Sequence, residues 1–258
     1  MVQSVPSTSS AYEAFDALRN GWGDVGVEIE TAIDTFLKSF DTADRAIRFF
    51  FGGYVEWLLA AALFHLKILA LPAGHNQGDF DLQSVAESID GQAKSLWSVK
   101  ASSTKDQKKV KLKNFHGGSE FTMYPTVFVD PSLGGLVLID PELHPGIMEH
   151  VHIKRDAAEL DTRVVKEHAG KHPDCFIAAR LPVKETRPGK PSPPAGFSQF
   201  QEIVGGDSLH YPHLGSLLAS AKSSGTGHVD EIERLVSLRD DGKLTQEEFE
   251  KSLRRVLE

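Results

Sequence analysis

The spacing of apolar positions changes several times along the chain, and each change marks an element. Val27, Ile29, Ile33, Phe36, Leu37 and Phe40 recur mostly three or four residues apart, which gathers them on one face of a helix. Asp41 or Thr42 is placed to cap the next helix, and Gly52-Gly53 predicts a break or bend before "YVEWLLAAALFHLKILAL". Pro72 and Gly74 stop that run. The apolar stretch from Ala46 to Leu71 is long enough to suggest a membrane span. However, Arg48, Glu56, His65 and Lys67 would be costly in hydrocarbon, so two buried helices of a soluble core are expected.

From Gly78 the period shortens to two. "DFDLQSV" alternates apolar and polar positions as a half-buried strand does, "SIDGQAK" carries an Asp-Gly pair suited to a tight turn, and "SLWSVKAS" reads as the returning strand. Beyond a lysine-rich loop, "TVFVD" and "GLVLID" are two short strands separated by Pro131 and Gly134-Gly135. His152 to Lys171 reads as one helix ending near Gly170, and "CFIAARL" as a further strand. Pro182 to Phe197 holds five prolines and is expected to be a loop or arm, with "HLGSLLASA" a short helix after it. This order predicts an α/β (mixed α+β) domain, with a central mixed sheet flanked by helices, over residues 20–222. Residues 1–19 are expected to form a flexible tail.

A linker at 223–227 leads to a helical hairpin at 228–258. Ile232, Leu235 and Val236 mark the apolar face of its first helix, and Phe249, Leu253 and Val256 that of its second. Gly242 suits the left-handed stop of the first helix, and Thr245 with Glu248 fits a capping box for the second. About thirty residues bury little surface alone, so the hairpin must dock on its own domain or on a partner.

Composition narrows the function classes. A chain of 258 residues with 40% apolar and 25% charged residues is an ordinary globular protein. The net charge of −8 argues against a chain that is basic overall, yet Lys94 to Lys113 holds seven lysines against one acid, Asp106. Such a local stripe can hold phosphates. The single cysteine, Cys175, excludes an internal disulfide and a four-thiolate zinc site, and reads as a small core residue on a strand. The N-terminus lacks the positive start and apolar middle of a signal peptide, so a cytoplasmic location with no membrane is expected. "EHVH" (Glu149 to His152) and "HYPH" (His210 to His213) offer paired imidazoles without an evident third ligand, and neither is expected to carry chemistry. "SLGGLVL" lacks the context of a phosphate loop.

Three residues stand out in order. Glu56 lies on a helix, Asp81 at the start of a strand, and Lys100 on the strand that returns, with 18 residues between the last two. The segments "GGYVEWLLAAAL", "GDFDLQ" and "WSVKASS" together resemble the PD-(D/E)XK nuclease superfamily. The resemblance implies a restriction-endonuclease-like core and hydrolysis of DNA phosphodiester bonds, in restriction or another defence against foreign DNA. It further implies that Asp81 binds a divalent metal, Mg²⁺ or Mn²⁺, that Glu56 completes the metal shell, and that Lys100 positions or activates the attacking water. Phosphodiester hydrolysis needs a hard cation and a nearby ammonium to offset charge on the phosphorus, and Mg²⁺ takes carboxylate oxygens. Lys105, Lys108, Lys109, Lys111 and Lys113 would then bind backbone phosphates. Ser98 stands where the family usually has an acid, and a hydroxyl brings no charge. Either Asp79, Glu87 or Glu56 supplies the missing ligand, or the fold binds nucleic acid or protein without cleaving. The C-terminal "EIERLVSLRDDGKLTQEEFEKSLRRVL" resembles the SHOCT module, which implies association with a second copy or another protein through residues 228–258.

Overall fold

A computed structural model of the chain describes residues 9–42, 47–72, 81–87, 93–114, 123–154, 157–185, 189–191 and 196–223. Beyond them it describes 234–236, 238–239, 243–245, 248–249 and 251–252. The fold is mixed α/β. A six-stranded sheet has the order β1 (Ala70–Pro72), β2 (Leu82–Glu87), β3 (Ala93–Ala101), β5 (Thr126–Asp130), β6 (Gly135–Ile139) and β9 (Phe176–Ala178). A three-stranded sheet has the order β4 (Lys109–Asn114), β8 (Ala157–Asp161), β7 (His152–Ile153). Among the described residues, β3 and β5 alone pair in parallel; the other pairings are antiparallel.

The central strands are buried on both faces, and their period-two alternation sorts side chains between two cores. Val127 and Val129 of β5, with Leu136 and Leu138 of β6, join the core built on the helices α1 (Ser10–Asn20), α2 (Trp22–Ser39), α3 (Ile47–His65), α5 (Gly196–Gly206) and α6 (Ser216–Ser223). Phe128, Val137 and Ile139 point the other way, to Val110, Leu160 and Val165 from β4, β8 and α4 (Thr162–Lys171).

Several expectations are corrected. Residues 10–19 are not a tail. Ser9 caps α1 by accepting a hydrogen bond from the Tyr12 N–H at 3.1 Å, and Ala11, Ala14, Phe15 and Leu18 lie buried at helical spacing. Trp97 of β3 donates its indole N–H to the Ala11 carbonyl at 2.9 Å, fastening the helix to the sheet. The two glycines at 52–53 do not break the chain either, so one continuous α3 replaces the two expected helices. Packing outweighs the roughly 1 kcal/mol per glycine that helix propensity disfavours. Gly53 lies against Gly196, where an added Cβ would come within 2.6 Å of the Gly53 carbonyl carbon, so the bare backbones let α5 cross α3 closely. No described helix is long and apolar enough to cross a membrane.

The single helix expected over 152–171 is two strands followed by α4. Helical spacing in "AAELDTRVV" is genuine only from Thr162; before it, Ala157 to Asp161 finds a ladder partner in β4. That partner is itself the second half of the expected lysine-rich loop. Cys175 ends a 3₁₀ turn, Pro173–Cys175, and β9 begins one residue later. α5 was not anticipated, because the proline-rich run masked its start at Gly196. The Asp90-Gly91 turn, the 224–227 part of the linker and Gly242 lie outside the described residues, but β2 and β3 pair antiparallel as the hairpin requires. The described parts of the C-terminal segment dock on the same chain, with Leu235, Val236 and Phe249 entering the helical core.

Candidate active site

The hairpin register decides where Asp81 and Lys100 meet. Leu82 stands opposite Trp97, so Asp81 falls beside Ser98, and Lys100 follows on the same face of β3 two residues on. Asp81 is thereby held at one oxygen by three donors. Its Oδ2 accepts from the Val99 N–H at 2.6 Å, the Ser98 hydroxyl at 2.9 Å and the Lys100 ammonium at 3.1 Å. Among the described residues, no hydrogen bond reaches Oδ1. Lys100 also reaches the Val99 carbonyl at 3.3 Å, so its ammonium is anchored without being enclosed. Both side chains remain partly accessible.

Glu56 comes to this pair from α3. Burial, with the Asp81 charge adding to it, pushes its carboxyl up to about 8, while Lys100 and Arg239 pull in the opposite direction. An acid on a largely buried helix is thus held within the field of an acid and a lysine from the sheet. Removing the carboxyl's solvation without supplying a full countercharge leaves a group whose ionised form needs a further cation.

Ser98 supplies no ligand charge but orients Asp81 by donating to it. Arg239, from the C-terminal segment, was not anticipated. It donates to the Pro72 carbonyl at 2.8 Å and lies over the Phe249 ring at 4.5 Å, and its charge acts on Glu56. No local pattern marks it, since its role depends on how the segment docks.

The remaining expectations divide. Asp79 lies outside the described residues, and of Glu87 and Lys113 only the backbone is described. Lys105, Lys108, Lys109 and Lys111 are exposed. Lys109 is 3.7 Å from Glu159, whose carboxyl is held below the usual range first by its hydrogen bond from Lys154 at 2.7 Å and then by the lysine charges, Lys111 included. Part of the lysine stripe therefore balances an acid of this chain. His152 pairs with Asp161 at 3.4 Å, and His213 donates to Glu28 at 2.6 Å, which gives the two paired-histidine motifs internal partners.

His144, His168 and Cys175, separated in sequence, also form a cluster, with His172 against it. The run from His168 to Cys175, a histidine, another four residues on and a cysteine three beyond that, is the local signal that could have drawn attention to it.

No protein-family model, curated protein or solved structure matches this chain.

Proposed function

We propose that the protein is a metal-dependent nuclease that hydrolyses DNA phosphodiester bonds, with a restriction-endonuclease-like core. The observation that carries this reading is that Glu56, on a helix, lies in the field of Asp81 and Lys100, which pair across two neighbouring strands. The donor set fits Mg²⁺ or Mn²⁺. Two carboxylates suffice where water and substrate phosphate fill the other positions, and among the described residues only one Asp81 oxygen is engaged. Such an ion polarises the phosphoryl oxygen and lowers the pKa of water.

The chain's own groups do the rest. Val99 and Ser98 fix the Asp81 carboxylate in place. Lys100, on the face next to it, holds the attacking water and offsets charge gathering on the phosphate. Glu56, whose carboxyl burial raises to about 8, would give up its proton on binding such an ion. Lys105 and Lys108, on the segment leaving β3, are exposed to meet backbone phosphates.

The test is nicking or linearisation of supercoiled plasmid with Mg²⁺ or Mn²⁺, with chelator as control. Lys100→Ala is expected to lower the rate by about a hundredfold or more with melting temperature little changed. Absence of cleavage of single- and double-stranded DNA with either ion would overturn the catalytic reading.

One observation favours a second reading. With Ser98 in the usual acid position and Lys100 paired to Asp81, the same fold could bind nucleic acid or protein without cleaving. Retained DNA binding without cleavage would select it.

A further inference from the structure

A separate group of ligating side chains lies where the loop after β6, the end of α4 and the turn into β9 meet. His144 precedes a 3₁₀ turn, Pro145–His150, His168 is on the last turn of α4, and Cys175 closes the turn before β9. One nitrogen from each imidazole and the Cys175 sulfur lie within 4.8 Å of one another. Among the described residues this is the one such group of three or more. His172, at the end of α4, brings its ring to 3.9 Å from that of His144 and 4.8 Å from that of His168. We infer that His144, His168 and Cys175 form a site for a borderline transition-metal ion of the Zn²⁺ type, with the fourth position open to water.

Three observations support a ligand there. The Nδ1 atom of His144 is buried without a hydrogen-bond partner, a costly arrangement unless something else engages it. The His168 Nε2 atom lies 3.2 Å from the Leu138 carbonyl, which can only accept. The ring must therefore donate there and carry its lone pair on Nδ1, and a hydrogen bond of this kind orients a metal-binding imidazole. Third, the donors are nitrogen and sulfur. Zn²⁺ favours that set with bonds of about 2.0–2.3 Å, which places tetrahedral donors about 3.3–3.8 Å apart. A group already within 4.8 Å closes to that size by small side-chain rotations.

Both imidazoles would bind the ion as neutral rings and Cys175 as its thiolate. On binding, the S–H bond breaks, its proton passes to bulk water and the sulfur electron pair goes to the ion, with no change of oxidation state. Magnesium is excluded by preference for oxygen ligands. The ion would tie the loop after β6 to α4 and to β9.

The test uses the full chain, kept reduced, stripped with a chelator and titrated with Zn²⁺ and then with Co²⁺ as a spectroscopic probe. One Zn²⁺ per chain, a rise in melting temperature and a thiolate-to-cobalt charge-transfer band are expected. Cys175→Ala should abolish the band, and His144→Gln, at a less buried position, should keep it while weakening Zn²⁺ binding about tenfold or more. Asp81→Asn should leave Zn²⁺ binding unchanged, so failure here is distinguishable from failure of the nuclease reading. A Co²⁺ complex without the thiolate band, or Zn²⁺ affinity equal in wild type and His144→Gln, would overturn the proposal.

Discussion

At the scale of single residues, Glu56 shows how a site is built against stability. Its carboxyl is shifted from the usual 4.5 to about 8, by burial first and by Asp81 second. Below about pH 4.5 the folded and unfolded chains both carry the proton, and the shift costs nothing. Between about 4.5 and 8 the unfolded chain releases the proton and the folded chain keeps it, so stability is lost as pH rises through this window. Glu56→Gln removes that titration. In chelator, the variant's melting temperature should gain on the wild type progressively from about pH 4.5 to about 8 and then level off. A constant difference across the range would count against the shift. The wild type should recover stability on addition of Mn²⁺ and the variant should not. Retaining a group whose replacement stabilises the bare fold is understandable where the group binds an ion.

At the scale of elements, what was legible followed from whether local pattern and long-range pairing agree. The β2–β3 pairing was readable because two alternating segments lie close together in sequence, and that put Asp81 and Lys100 on neighbouring strands. β8 was misread because "AAELD" has helical composition, and only pairing with β4, about 45 residues earlier, makes it a strand. Gly52-Gly53 was misread because a breaker in isolation becomes a contact surface when another helix crosses it. The two helices allow a direct comparison. At Gly196 an added Cβ meets backbone atoms of Gly53 and Tyr54 at 2.6–2.9 Å, while at Gly52 it meets nothing within 4 Å. Gly196→Ala should therefore destabilise by about 1–3 kcal/mol as α5 is pushed from α3. Gly52→Ala should instead stabilise by about 0.5–1 kcal/mol through helix propensity. Denaturant titration of both variants checks the pair; equal effects would mean that α5 and α3 do not approach as described.

At the scale of the whole molecule, the C-terminal segment was legible as an apolar-faced helical pattern but its place was not, because docking depends on surfaces distant in sequence. Leu235, Val236 and Phe249 enter the helical core, and Arg239 carries a buried positive charge to the Pro72 carbonyl and into the field of Glu56. The segment thus links assembly of the chain to the electrostatics of the candidate site. Removing its cation leaves the Glu56 carboxylate with less compensation, so its proton is held more tightly and a divalent ion needs higher pH to displace it. Arg239→Gln should shift the rising limb of metal-dependent cleavage, and of Mn²⁺ binding measured directly, toward alkaline pH. Glu56→Gln should lack that limb, and in its background Arg239→Gln should produce no further shift. Additive shifts in the double variant would show that Arg239 acts elsewhere, through packing against Phe249 alone. The binding measurement keeps the outcome readable even if the chain does not cleave, because it tests coupling between the docked segment and the carboxylates rather than turnover.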